Sequence, residues 1–194
     1  MTVFAHGGSS LSPIAGIPYC NLIYDINWRC PIRTAVRHTD DLAVLATEAN
    51  CMISDFATAG RFATSFLAVI HRAECTISFV GAGHEAWLIR SNGFVEHLRP
   101  DNLPLGLDRS ACYEVQHIRY RSGDLLLLAT DGITEASDPD RRMFGVPRML
   151  ETVVHQRASS PNQLVQSLMS EVIEFRRGAE QQDDITAVVA KFGG

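Results

Sequence analysis

The sequence predicts an α+β protein in which antiparallel strands are layered with helices, and three observations carry that prediction. From residue 38 onward, one helix, about five strands with short connections, two more helices and a last strand follow one another. Ser91-Asn92-Gly93, set between the apolar runs Ala86–Arg90 and Phe94–Leu98, is a strong hairpin signal. Gly123-Asp-Leu-Leu-Leu-Leu-Ala-Thr-Asp131-Gly132 reads as a core strand that runs into an acid and a glycine. Its four leucines, opened by a Ser-Gly-Asp turn, are too short a run for a helix and too apolar for a surface.

Gly7, Gly8, Pro13, Gly16, Pro18 and Pro31 punctuate residues 1–36 so densely that an irregular arm is expected there, with a short strand at most near Asn21–Ile26. The domain proper is expected over 37–194. Acids at Asp40 and Asp41 precede apolar Leu42, Leu45, Ala46, Ala49, Met52, Ile53 and Phe56, spaced by three and four, which predicts a helix of about four turns ending at Ala59-Gly60. Phe62–Ile70 and Cys75–Val80 are apolar runs joined by the short His71–Glu74 link, so they are expected to pair antiparallel. Tyr113–Tyr120 alternates apolar and polar, as a half-exposed strand does. Phe144–Val154 and Asn162–Phe175 have helical spacing, with Ser160 as a cap and Pro161 at the first helical position of the second. Ile185–Phe192 is the last strand.

The 194 residues are 46% hydrophobic and 20% charged, the balance of a globular domain with a core of its own. A formal net charge of −5 with no basic cluster excludes a nucleic-acid surface or an anionic-membrane surface. Five cysteines, odd in number and without a C-x-x-C pair, read as reduced thiols rather than a disulfide frame or a zinc site. No apolar run is long enough to span a bilayer, and a cytoplasmic location is expected.

Two acid sites adjoin strongly apolar strands. Thr130-Asp131-Gly132 follows one, and Asp183-Asp184 precedes the other. Carboxylates from two strand ends can converge on a hard cation that takes oxygen ligands. Asp131 can equally cap the turn that follows it, and Asp183-Asp184 can equally be a solvated turn. Gly81-Ala-Gly83-His84-Glu-Ala86 matches a dinucleotide fingerprint in letters, yet Trp87-Leu-Ile-Arg runs into a hairpin instead of the helix that a pyrophosphate needs. The two glycines therefore read as a tight strand crossing, and His84 as a structural imidazole, a phosphate contact or a general acid. No Gly-x-Ser-x-Gly elbow supports covalent catalysis.

Arg61-Phe-Ala-Thr-Ser-Phe-Leu-Ala-Val, Gly81-Ala-Gly-His84, Leu103-Pro-Leu-Gly106, the Gly123–Ala136 stretch, Phe144-Gly145 and Gln182-Asp183-Asp184-Ile-Thr186 occur in this order. Together they make residues 38–192 resemble the bacterial metal-dependent serine/threonine phosphatases of the stage II sporulation protein E type, the PPM phosphatases. The resemblance implies an antiparallel β-sandwich flanked by helices in four layers, α-β-β-α, with a manganese or magnesium centre. It implies hydrolysis of phosphoserine or phosphothreonine on a signalling regulator of the anti-sigma-antagonist kind, by metal-activated water. Carried over by motif, Asp131 and Asp183 are the catalytic metal ligands, with Asp184 as the alternate, and Gly132, Gly83 and His84 line the site.

Family members also carry two Gly-Asp blocks before the helix that begins here near Asp40, and nothing in residues 1–36 matches them. Asp25 is the only acid in that stretch. The chain thus keeps the ligands of one metal and lacks the residue bridging to a second, and its N-terminal strands are expected to be incomplete. An inactive, phosphatase-like binding module is the alternative reading. A sheet edge left open by missing strands would be covered by the arm or by a second copy of the chain, so a homodimer is an expected assembly.

Overall fold

The computed structural model describes residues 2–5, 19–22, 41–56, 62–181 and 183–193. Among these the chain runs β1 (Thr2–Ala5), β2 (Tyr19–Leu22), α1 (Leu42–Phe56), β3 (Ser65–His71), β4 (Thr76–Ala82), β5 (Ala86–Ile89) and β6 (Val95–Leu98). There follow β7 (Gln116–Arg119), β8 (Leu125–Ala129), α2 (Asp131–Thr134), α3 (Gly145–His155), α4 (Pro161–Arg176) and β9 (Ala187–Lys191). The result is a mixed fold of antiparallel sheets and helices, as expected. Within the segment expected to be an arm, two described stretches are strands: β1 pairs antiparallel with β9, and β2, which overlaps the short strand expected near Asn21–Ile26, pairs with β3. A four-residue strand needs no amphipathic run of its own when a neighbouring strand offers an open ladder edge. Asp25 lies outside the described residues. No helix among them is long and apolar enough to cross a membrane.

The chain divides into two compact units. The first takes β1, Trp87–His97 and the chain from Arg121 onward, around a sheet of order β1-β9-β8-β5-β6. Leu125, Leu127, Ala187 and Val189 on one sheet face pack with Met149 and Val153 of α3 and Leu164, Leu168 and Val172 of α4. β8 is buried along its whole length, as its run of leucines requires. Ser160 caps α4 in a full capping box, accepting from the Gln163 amide at 3.4 Å while Gln163 Oε1 accepts from the Ser160 amide at 3.1 Å. The Ser91–Gly93 turn holds three residues: the Arg90 amide donates to Phe94 O at 2.7 Å, and only Gly93 is left-handed (φ 90°). Asn92 instead accepts from the Phe94 amide through its side chain at 3.0 Å.

Beneath this turn Asp124 is 1% exposed. Its carboxylate accepts from Arg90 Nη1 at 2.8 Å, the Arg121 amide at 2.9 Å and the Ser91 amide at 3.0 Å. Removing the buried carboxylate strands the Ser91 and Arg121 amides and takes one carboxylate partner from Arg90, which keeps its pair with Glu96, so Asp124→Ala is expected to cost about 3 kcal/mol in chemical denaturation. Lys191, the single lysine of the chain, donates to the carbonyls of Arg157, Ala158 and Ser159 at 3.0, 3.2 and 3.0 Å and so ties β9 to the turn between α3 and α4.

The second unit contains a sheet of order β2-β3-β4-β7, with α1 packed on it through Leu45, Ala46, Ala49 and Ile53 against Leu67, Val80 and Ala82. Asp41 opens α1, its Oδ1 accepting from the Ala43 amide at 2.9 Å. Asn50 is wholly buried and clamps a loop onto the helix, donating to Asp108 O at 2.9 Å and accepting from the Gly106 amide at 2.7 Å. Tyr113 packs in the same core with its hydroxyl buried and unpartnered among the described residues. Burial, reinforced by Asp108 and Cys51, pushes its pKa from 10.0 up to about 12. A raised value favours the neutral phenol in the fold, so its stabilising contribution is complete below pH 10 and is lost as pH climbs towards about 12. Denaturation midpoints across that window are expected to fall for the native chain and to fall less for Tyr113→Phe.

Candidate functional site

β8 and β9 are antiparallel neighbours with Ala129 opposite Ala187, so the segment leaving β8 and the segment entering β9 lie at one end of the sheet. Asp131 is carried by the first segment, and Asp183 and Asp184 by the second. All three side chains are exposed. Asp131 does not end the strand: it is the first residue of α2, two positions beyond Ala129. The turn-capping reading of this acid fails, because among the described residues its carboxylate accepts no hydrogen bond, while its main-chain oxygen accepts from the Glu135 amide at 2.7 Å. Asp183 does brace its own bend, with Oδ1 accepting from the Asp184 amide at 2.7 Å.

Gly132 explains how the two segments come so close. A Cβ on it would sit 2.3 Å from Asp184 O and 3.2 Å from Asp183 O, both backbone atoms. Its φ lies outside the left-handed region, so the glycine serves the approach of the opposite chain rather than the turn. Thr130 adds a second tie. It stands at the N-cap of α2 with extended backbone (φ −83°, ψ 160°), yet its side chain makes no cap bond. The hydroxyl instead donates to Asp184 O at 2.9 Å and accepts from the Thr186 amide at 2.9 Å, beside a main-chain bond from the Thr130 amide to Thr186 O at 3.0 Å.

The structure therefore brings Asp131, Gly132, Asp183 and Asp184 together in the first unit. Gly83 and His84 belong to the second unit. There Gly83 is left-handed (φ 73°), and a Cβ on it would meet Pro104 Cγ at 2.7 Å. Gly81 has similarly little room, with Pro100 Cα at 3.0 Å from its would-be Cβ. The Gly83 amide donates to Asn102 O at 3.1 Å, and the Asn102 amide to Gly81 O at 3.2 Å. These glycines let β4 lie against the 99–104 loop, and β5 rather than a helix follows, so the dinucleotide reading falls. His84 is half-buried and has a partner of its own.

As a donor set, the acid ledge is all oxygen and suits a hard divalent cation, which binds through one or two carboxylates and keeps its remaining places for water and phosphate. It does not form a closed cage: among the described residues no three His, Cys, Asp or Glu side chains cluster for a metal. Thr130 was not legible as part of this site, since its partners are backbone atoms more than fifty residues on.

A family model for stage II sporulation protein E matches residues 29–193. The chain belongs to that family. The chain is 27% identical over 186 residues to Protein IcfG of Synechocystis sp., the match covering 89% of the chain and 28% of that protein. It thus spans less than a third of the length of the curated relatives it matches. Among solved structures, the SiaA-PP2C domain of Pseudomonas aeruginosa aligns with a TM-score of 0.77 at 18% identity, over 85% of this chain and 67% of that one. The structure of the PP2C phosphatase domain and a regulatory fragment of stage II sporulation protein E from Bacillus subtilis aligns at 0.73 and 20% identity, over 98% and 55%. The fold is that of the PP2C phosphatase domains with which the chain aligns.

Proposed function

We propose that the chain serves metal-dependent hydrolysis of phosphoserine or phosphothreonine on a signalling regulator, with Asp131 and Asp183 holding manganese or magnesium. The observation that carries this reading is the acid ledge itself: Thr130 is hydrogen-bonded to Asp184 O and the Thr186 amide, and Gly132 allows a close approach of the Asp184 backbone that a side chain would block. A cation bound there supplies Lewis acidity towards phosphoryl oxygens and a water of lowered pKa. Asp131 and Asp183 offer exposed carboxylates from the segments that leave β8 and enter β9, and Asp184 contributes the main-chain oxygen that receives Thr130. Family membership supports the reaction class, and the fold likeness supports the scaffold.

The regulator is expected to be a phosphoprotein of the anti-sigma-antagonist kind, acted on in the cytoplasm. The purified chain is expected to release phosphate from an aryl phosphate and from a phosphoserine peptide only with manganese or magnesium present, which a chelator titration checks. A folded chain silent on both substrates would instead support a binding module, the reading motivated by the absent Gly-Asp blocks and by the lack of a three-ligand cluster among the described residues.

A further inference from the structure

We infer that Thr130 is a positioning residue that sets the distance between the two acid-bearing segments and thereby the affinity of the Asp131/Asp183 pair for a divalent cation. The inference rests on the proposed metal role of those acids. A threonine at a helix N-cap ordinarily turns its oxygen onto the first turn of its own helix. Here α2 forgoes that bond, and the hydroxyl makes two bonds of 2.9 Å across the gap, one given to Asp184 O and one taken from the Thr186 amide, beside a longer one given to Thr186 O at 3.4 Å. The two bonds bracket Ile185 and so fix where the chain turns from Asp183-Asp184 into β9. Gly132 sets how near the segments can come, with Asp184 O against it. Thr130 keeps them from parting. No other side chain among the described residues bonds from the Asp131 segment to the 183–186 backbone.

Second ring contacts of this kind change metal affinity by about ten- to a hundredfold when removed. The test is manganese binding to the full chain, read from loss of the free-ion electron paramagnetic resonance signal, for the native protein, Thr130→Val, Thr130→Ser and Asp131→Asn. Valine keeps the shape and deletes the hydroxyl, and its dissociation constant is expected to rise at least about tenfold. Serine keeps the hydroxyl and is expected to stay within about threefold of native. Ser160→Ala, which loosens α4 far from the acids, is expected to leave binding unchanged and so controls for stability. Should the valine variant not fold, Thr130→Cys, with its much weaker hydrogen bonding, takes its place against serine. Native affinity in Thr130→Val or Thr130→Cys, with binding lost in Asp131→Asn, overturns the inference alone. Native affinity in Asp131→Asn overturns the metal reading beneath it as well.

Discussion

Gly132→Ala is expected to lower metal-dependent phosphate release by about a hundredfold, the usual consequence of moving a reacting group by about 1 Å. The added methyl group has no soft neighbour to push aside. It meets Asp184 O at 2.3 Å and Asp184 C at 2.8 Å, both in the backbone that leads into β9. Relief requires the Asp183-Asp184 segment to move outward, which widens the acid pair and pulls Asp184 O from the Thr130 hydroxyl. Overpacking at such a site typically costs about 1–3 kcal/mol. Activity with a saturating metal titration, beside a denaturation curve, checks both effects. A variant of native activity would show that the acids act independently of their spacing.

Asp131→Asn and Asp183→Asn are each expected to reduce turnover by about a thousandfold or more, since losing several kcal/mol of charge stabilisation scales to that factor. Fold stability should change little, because both side chains are exposed and the amide keeps the shape. Asp184→Asn is expected to do less, because the bonds that fix the site use its main-chain oxygen and not its carboxylate. Equal loss in all three would make Asp184 a ligand as well. Rate measurements at several manganese concentrations separate weakened metal binding, which added metal repairs, from a lost catalytic group, which it does not.

Patterns set by neighbouring residues were legible in the sequence. The apolar periodicity of α1, the Ser160-Pro161 start of α4 and the leucines of β8 each determine a local outcome, and the structure follows them. What escaped depends on residues far apart. β1 has little strand signature of its own and pairs with the edge of β9, while β2, foreseen only in its last two residues, pairs with β3. The hairpin at Ser91–Gly93 was legible, but not the Asn92 side chain's acceptance of the Phe94 amide within its three-residue turn. At the site the acids could be named from their places beside apolar strands, whereas the capping alternative for Asp131 could be discarded only once its carboxylate was seen to accept no hydrogen bond among the described residues.

The pairing of β8 with β9 joins parts of the chain about sixty residues apart, Ala129 with Ala187, and α3 and α4 lie between them. Such non-local pairings form slowly and late, since a long loop must close before any contact rewards it. During synthesis Asp131 leaves the ribosome well before Asp183, and no partly folded chain without β9 can hold both acids on one ledge. On the proposed metal role, a divalent cation would find its two acids only after β9 has docked, and its binding would then draw the folding equilibrium forward by mass action.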